Sequence, residues 1–309
     1  MTALLEVGAR KPDHSIAIAD LGARLGMDAR ALWTFRKFYG LDSVRRAPGE
    51  DLHTTLSAAV RTLTALKGNE HRVKYAIAAR TVSTVEKRTE RTLQRICDDF
   101  GLTEAVAFTV TQHACASGLL AVEVAGGLLA ADPDPDALAL VLVGEKVFTD
   151  ALEMIPESTV MGESTAACLV SASGERDELL GYATRTRGQY SDAFPPDPLD
   201  PGFLNEHNDL LAEVITEAAD AAGVPVADLA LLLPHNVNRL SWSWACKVLG
   251  IPLSRVYLDN IPVTGHCFTA DPFINYVDAL AAGRLTPGDL YLMASVGLGA
   301  TFSAAVLRH

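Results

Sequence analysis

Two apolar rhythms alternate along this chain. Short runs are apolar at nearly every position: 73–79 (VKYAIAA), 106–111, 138–144 (LALVLVG), 165–171, 229–233 (LALLL), 255–258, 290–296 and 301–307. Continuous apolar runs of this kind predict strands covered on both faces. Between them, 52–66, 86–100, 117–131, 208–222, 240–249 and 273–283 repeat apolar residues at helical spacing. Alternating strands and helices predict an α/β fold with mostly parallel sheets.

The pattern also repeats. Strand 138–144 is followed by strand 165–171 with no long helix assignable between them, and 290–296 is followed by 301–307 in the same way. Two similar halves are therefore expected, 1–175 and 176–309. Between them lies QYSDAFPPDPLDPGF (189–203), whose prolines fix φ and remove donors, so its middle cannot be regular structure. It is either a loop over a pocket or an exposed connector.

Composition narrows the setting. With 309 residues, 49% of them hydrophobic, the chain can bury a large core. No apolar run is expected to reach the ~18–20 residues of a membrane span, and the N-terminus lacks a basic-then-apolar leader. The five cysteines (97, 115, 168, 246 and 267) are odd in number and form no CxxC pair, which predicts reduced thiols and a cytoplasmic protein. A formal charge of −12 works against nonspecific nucleic-acid binding. Neither nucleic acid nor membrane is an expected partner.

Four stretches carry candidate chemistry. In TVTQHACASGLLAVEV (109–124), Cys115 stands where a strand gives way to a helix, among small residues that admit a substrate. Unpaired N–H groups at a helix start favour a thiolate. LLLPHNVNR (231–239) places His235 at the C-terminal end of a strand, where open α/β folds bind ligands. VTGHCFTADP (263–272) is a Gly-His turn entering a helix, and ASVGLGATFSAAV (294–306) is a strand, a glycine turn and a returning strand. From these residues alone Cys115 is a core residue, a metal ligand or a nucleophile. Cys115, His113, His235, His266 and Cys267 are zinc-ligand types, but their spacings match no zinc pattern. No G-x-S-x-G elbow of a serine hydrolase occurs.

In this order the stretches resemble the thiolase-fold condensing enzymes, nearest to β-ketoacyl-acyl-carrier-protein synthase III. FRKFYGLDSVRR (35–46) is similar to the family's early Arg-rich segment, and AFTVTQHACASGLLAVEVAGGLL to its nucleophile strand and helix. TVMGESTAACLVSA resembles the end of its first half, LLLPHNVNRLSWSWACKVLGIP its Pro-His-Gln-Ala-Asn block, and GLGATFSAAVLRH its closing turn and strand. The resemblance implies an α/β thiolase-like fold, two pseudo-repeated halves in an α/β/α/β/α stack. It implies Cys115 as acylated nucleophile, His235 and His266 as its catalytic partners, and the N–H groups of Cys115 and Gly297 as an oxyanion hole. His266 occupies the place where the family usually has Asn; chain-elongating relatives of the same fold carry Cys-His-His.

The implied activity is condensation of an acyl-cysteine with a malonyl thioester and loss of CO2, in specialised or fatty-acid metabolism. The alternative is acyl transfer to a hydroxyl, an amine or a second carrier. A nonenzymatic scaffold would keep the fold but lose the site, and Cys115, His235 and Gly297 together argue against it. No permanently bound cofactor is implied; the substrate is an acyl-CoA or acyl-carrier-protein thioester. A homodimer is implied as well. Trp33 with Arg36 (or Lys37) lies where the family holds the CoA nucleotide, and Arg239 and Lys247 could form a basic patch for an acidic carrier protein. His113 and Cys267 are expected to be packing residues, and Arg88, Arg91 and Arg95 surface residues of a helix.

Overall fold

The computed structural model describes residues 2–82, 91–191 and 198–309. The strands of its main sheet are β1 (Thr2–Arg10), β2 (Val73–Ala79), β3 (Val106–Val110), β4 (Leu138–Val143), β5 (Thr165–Ser171), β6 (Glu178–Thr186), β7 (Leu231–Leu233), β8 (Leu290–Gly297) and β9 (Thr301–Arg308). They lie in the order β7-β8-β9-β6-β1-β5-β4-β2-β3. Near the middle, β1 meets β6 through only two residue pairs, Thr2 with Leu179 and Ala3 with Glu178. On either side of that seam the topology is the same. β3, β2 and β4 are parallel, followed by antiparallel β5 and β1; Val256, β7 and β8 are parallel, followed by antiparallel β9 and β6.

This corrects two expectations. The sheet is mixed rather than mostly parallel, because each half closes with a strand pair that returns without a crossover helix. The expected strand 255–258 is a single bridge between Val256 and Leu232, preceded by a 3-10 turn at Leu253–Arg255. The sequence pattern also passed over β1 and β6. In both, charged residues break the apolar run: Glu6 accepts from Thr64 Oγ1 at 2.8 Å and Ala65 N at 2.7 Å, while β6 is largely half-exposed.

The helices that cover the sheet are α1 (Leu52–Val60), α2 (Thr92–Asp99), α3 (Ser117–Ala131), α4 (Pro201–Ala221), α5 (Arg239–Leu249) and α6 (Asp271–Ala281). One core joins α3 and α6 to strands of both halves. A second gathers α4 and α5 with β8 and β9, and a third gathers α1 and α2 with β2 and β4. The result is the layered α/β/α/β/α stack, with α3 and α6 as its centre. Segment 86–100 yields only Thr92–Asp99 within the described residues, and Arg88 lies outside them. Arg91 is exposed just before α2, and Arg95 lies on that helix, reaching His53 Nδ1 at 3.2 Å.

A helix apolar on every side belongs between two layers rather than on a surface. That is the case for α3 (SGLLAVEVAGGLLAA). With the turn before it, it forms an 18-residue apolar helix, Ala114–Ala131, long enough to cross a membrane and 61% buried here inside the fold. The expectation that no such run exists is therefore corrected. Its glycines let neighbours come close: a Cβ on Gly118 would lie 2.7 Å from the Thr269 carbonyl oxygen, which is backbone and cannot swing away. Gly118→Ala should accordingly lower unfolding free energy by about 1–3 kcal/mol, read as a lower midpoint in urea with an unchanged slope.

Candidate functional site

Cys115 sits in the 3-10 turn Ala114–Ala116 that links β3 to α3, and it is 2% exposed. Ala114 before it takes φ 46°, a left-handed conformation unfavourable for a residue with a Cβ. Ser295 on β8 donates its hydroxyl to the Cys115 carbonyl at 3.0 Å, fastening this turn to the other half. Gly297 ends the same strand. A Cβ there would stand 2.0 Å from the His113 carbonyl oxygen, so only glycine lets the two turns meet.

His266 reaches the sulfur. Its Nε2 lies 3.2 Å from Cys115 Sγ, and its Nδ1 lies 2.5 Å from Asp271 Oδ2. Asp271 is the first residue of α6 and is fully buried. It also accepts the backbone N–H of Asn236 at 2.6 Å and of Cys267 at 2.7 Å. With its carboxylate fixed in this way, Nδ1 of His266 carries a proton. Burial opposes charge on His266, but Asp271 and Cys115 outweigh it and push its pKa up to about 10. The pair with Cys115 shares one more proton, as thiol with imidazole or thiolate with imidazolium.

His235 faces the same cavity from the end of β7. Its ring tilts against Trp242, with centroids 5.4 Å apart, and stands 6.3 Å from the His266 ring. Both ring nitrogens are buried without a hydrogen-bond partner among the described residues. Burial, together with His266 and His207 nearby, pushes its pKa well down, so it is neutral near pH 7. A neutral imidazole offers one donor and one acceptor. The turn that carries it is held by α6: Asn275 donates to the Pro234 carbonyl and to Asn236 Oδ1, both at 2.8 Å.

The cavity has a volume of about 250 Å³, and Cys115, His235, His266 and Gly297 all line it. Gly299 does not. His113 and Cys267 also lie off it; Cys267 turns its sulfur toward the Thr264 and Gly265 carbonyls, and burial pushes its thiol up to about 12. All five cysteines are free and buried. From the Asp/Pro-rich connector, Leu199 and Phe203 reach the cavity wall, whereas 192–197 fall outside the described residues.

The expected recognition residues do not share one place. Trp244 is half-exposed and lines the entrance, with Lys247 Nζ 4.1 Å over its ring. Arg239 is exposed at the start of α5. Trp33 is half-exposed and packs edge-on against Phe38, and Arg36 faces Asp42 at 3.7 Å; neither lines the cavity. Sequence reasoning passed over Asp271 and His207. Asp271 had a local signal, an acid at a helix start five residues after a turn histidine. His207 on α4 had none, since only the fold brings its ring within 6.4 Å of His235.

Residues 219–309 match the family model described as 3-oxoacyl-[acyl-carrier-protein] synthase III C terminal. The chain is 24% identical over 206 residues to the β-ketoacyl-[acyl-carrier-protein] synthase III of Aquifex aeolicus, spanning 63% of this chain and 65% of that relative. The solved structure of the Aquifex aeolicus synthase III superposes with a TM-score of 0.83 at 20% identity, covering both chains completely. A structure described as ChlB3 [Aceyltransferase] gives a TM-score of 0.85 at 18% identity, over 99% of this chain and 97% of the other. The chain thus has the thiolase fold and resembles the synthase III condensing enzymes.

The His266–Asp271 pair makes a pH-dependent contribution to folding. A histidine whose pKa is raised on folding contributes fully below its unfolded value, roughly 6.5. That contribution is lost as pH rises through about 10. Asp271→Asn should cost about 3–5 kcal/mol near neutral pH, as expected when a buried pair loses one partner. The gap between variant and parent should narrow towards alkaline pH, measured by urea unfolding across that range.

Proposed function

We propose that this chain, with the fold of the synthase III condensing enzymes, is an acyl-thioester-dependent condensing enzyme of specialised (polyketide-like) or fatty-acid metabolism. Cys115 takes an acyl group from an acyl-CoA or acyl-carrier thioester and passes it to a malonyl thioester with loss of CO2. The reading is carried by one observation: a single cavity whose wall holds Cys115 in contact with His266–Asp271, with unpartnered His235 opposite and Gly297 alongside.

Each group has a task in this chemistry. The Cys115 thiolate attacks the thioester carbonyl; the new S–C bond forms, the donor's C–S bond breaks, and the leaving thiolate takes the proton of His266. The N–H groups of Cys115 and Gly297 hold the oxyanion. In the second half-reaction the malonyl C–C bond to the carboxylate breaks and its electron pair passes into an enolate. Neutral His235 donates to the enolate oxygen. Because Asp271 occupies Nδ1, His266 can donate from Nε2 only as an imidazolium, after taking up a proton from solvent; Asp271 favours that form, whereas the contribution of the Cys115 sulfur ends with its acylation. Attack by the enolate carbon then releases Cys115. Losing one such donor raises a barrier by ~2.7–4 kcal/mol.

One observation favours a second reading. The same Asp271 contact makes neutral His266 a well-oriented base, which suits acyl transfer to a hydroxyl, an amine or a second carrier. One structural relative is itself described as an acyltransferase.

The surroundings fit a carrier or CoA arm. Lys247 over Trp244, and exposed Arg239 between the lining residues Asn238 and Leu240 in sequence, offer positive charge to an acidic carrier. Trp33 and Arg36 remain candidates for the CoA nucleotide. A homodimer would use the edge strand β3, whose Val106 is 61% exposed and whose outer side has no strand partner among the described residues. Five free buried thiols fit a cytoplasmic setting.

Intact-protein mass spectrometry with a panel of acyl thioesters, followed by malonyl thioesters and a CO2 trap, tests the proposal. One acyl mass per chain is expected, absent in Cys115→Ala; labelling of that variant would sink the nucleophile. His266→Asn separates the two readings, since Asn donates but is no base. Condensation should survive within roughly one or two powers of ten, whereas transfer to a heteroatom should fall ~10²–10⁴-fold. Acylation of Cys115 with no CO2 released from any malonyl thioester would replace the first reading by the second.

A further inference from the structure

The sulfur of Cys115 has a second polar neighbour. Thr81, two residues beyond β2, directs its hydroxyl at Cys115 Sγ from 3.6 Å, a hydrogen-bonding separation for an acceptor as large as sulfur. Thr81 is 8% exposed. Its own N–H donates to Glu145 Oε2 at 2.7 Å, and the other carboxylate oxygen of Glu145 accepts from Arg80 Nε at 2.7 Å. Glu145 is fully buried, just past the end of β4.

Thr269 closes the same seam. Its hydroxyl donates to the Ala79 carbonyl at 3.1 Å and accepts the Gly144 N–H at 2.8 Å. The ends of β2 and β4 are thus pinned on both sides of Thr81, which leaves the hydroxyl a fixed approach to the sulfur. The titratable and charged groups around Cys115 are His266 in contact, His235 across the cavity, the Arg80–Glu145 pair behind Thr81, and half-buried His113 on its own turn.

We propose that Thr81 is a catalytic residue whose hydroxyl donates to the Cys115 thiolate and holds the sulfur between itself and His266. The proposal rests on Cys115 being the nucleophile. Two donors stabilise the anion more than one and restrict the direction of its attack. When the S–C bond forms, the sulfur electron pair is consumed and the thioester sulfur becomes a poor acceptor. The hydrogen bond is therefore strongest in the free enzyme, where it favours the thiolate, and weak in the acyl-enzyme. A donor on the thiolate raises its population at low pH while reducing its intrinsic nucleophilicity.

Iodoacetamide alkylation and acyl-thioester labelling of Cys115 test this, in the parent, Thr81→Val, Thr81→Ser and Thr81→Ala, with Cys115→Ala as background. Thr81→Val should react about tenfold more slowly near pH 6.5, and within about twofold of the parent near pH 9.5. Thr81→Ser, which keeps the hydroxyl, should stay within about threefold of the parent at both. If Thr81→Val does not fold, the Ser and Ala variants give the same comparison. Equal rates in parent and Val at the lower pH would overturn the proposal. So would equal slowing at both pH values, or a Ser variant as slow as Val. Alkylation that follows Thr81 as expected, with no thioester able to acylate Cys115, would support the hydrogen bond and defeat the proposed function instead.

Discussion

The contact between Cys115 and His266 is the constraint on which the site depends, because the two residues belong to opposite halves of the sheet. Cys115 ends the loop after β3 and opens α3; His266 follows the Val256 bridge and precedes α6. Holding their side chains 3.2 Å apart requires both central helices to begin at the same depth in the stack. Small residues make that approach geometrically feasible. Gly118 lets α3 pass the Thr269 carbonyl, and a Cβ on Gly162 would stand 2.1 Å from the Thr264 carbonyl oxygen. In a close-packed interior such approaches cannot be recovered by a small local shift. Glycine in the centre of this fold is therefore a requirement of the chemistry as much as of the packing.

Much of this organisation was legible in the chain. Fully buried strands such as LALVLV write themselves as unbroken apolar runs, and α3 shows its central place by being apolar on every side. The strand that anchors each seam did not show, because β1 and β6 carry charges that are satisfied only in three dimensions. The fifth strand of the second half is the reverse case. The apolar run was present, but the backbone there pairs at Val256 alone. At the site, Cys115, His235, His266 and Gly297 all line one cavity; Cys115, His235 and Gly297 each stand at or just beyond the end of an apolar strand. The residues proposed to meet a carrier lacked that kind of local anchor; Lys247 is tied to the entrance through Trp244.

Asp271 changes what His266 is able to do. An Asn at the position of His266 would be a neutral donor in every state. A histidine fixed through Nδ1 is a donor when charged and an acceptor when neutral, and the proton that decides between them is the one shared with Cys115. In the proposed reaction, acylation carries that proton away with the leaving thiol, so the state of His266 in the second half-reaction depends on how quickly it is protonated again. Neutral His235, without a hydrogen-bond partner among the described residues, would keep its donor throughout. The two histidines are thus unequal partners: one constant, the other set by the step just completed.

The repeated strand order explains why these groups converge. Corresponding strands of the two halves deliver corresponding residues. β2 leads to Thr81 and β7 to His235; β3 leads to Cys115 and the Val256 bridge to His266; β4 ends near Glu145 and β8 at Gly297. The C-terminal ends of parallel strands are where such sheets bind ligands, and here two sets of them face each other across α3 and α6. Within this arrangement each half has a separate task. The first supplies the sulfur and the polar support behind it. The second supplies the groups that face whatever the sulfur attacks. Under the proposed function, a site divided in this way can change its acceptor by substitutions in the second half that do not touch the sulfur, at positions such as 207, while Cys115, Thr81 and His266 stay as they are.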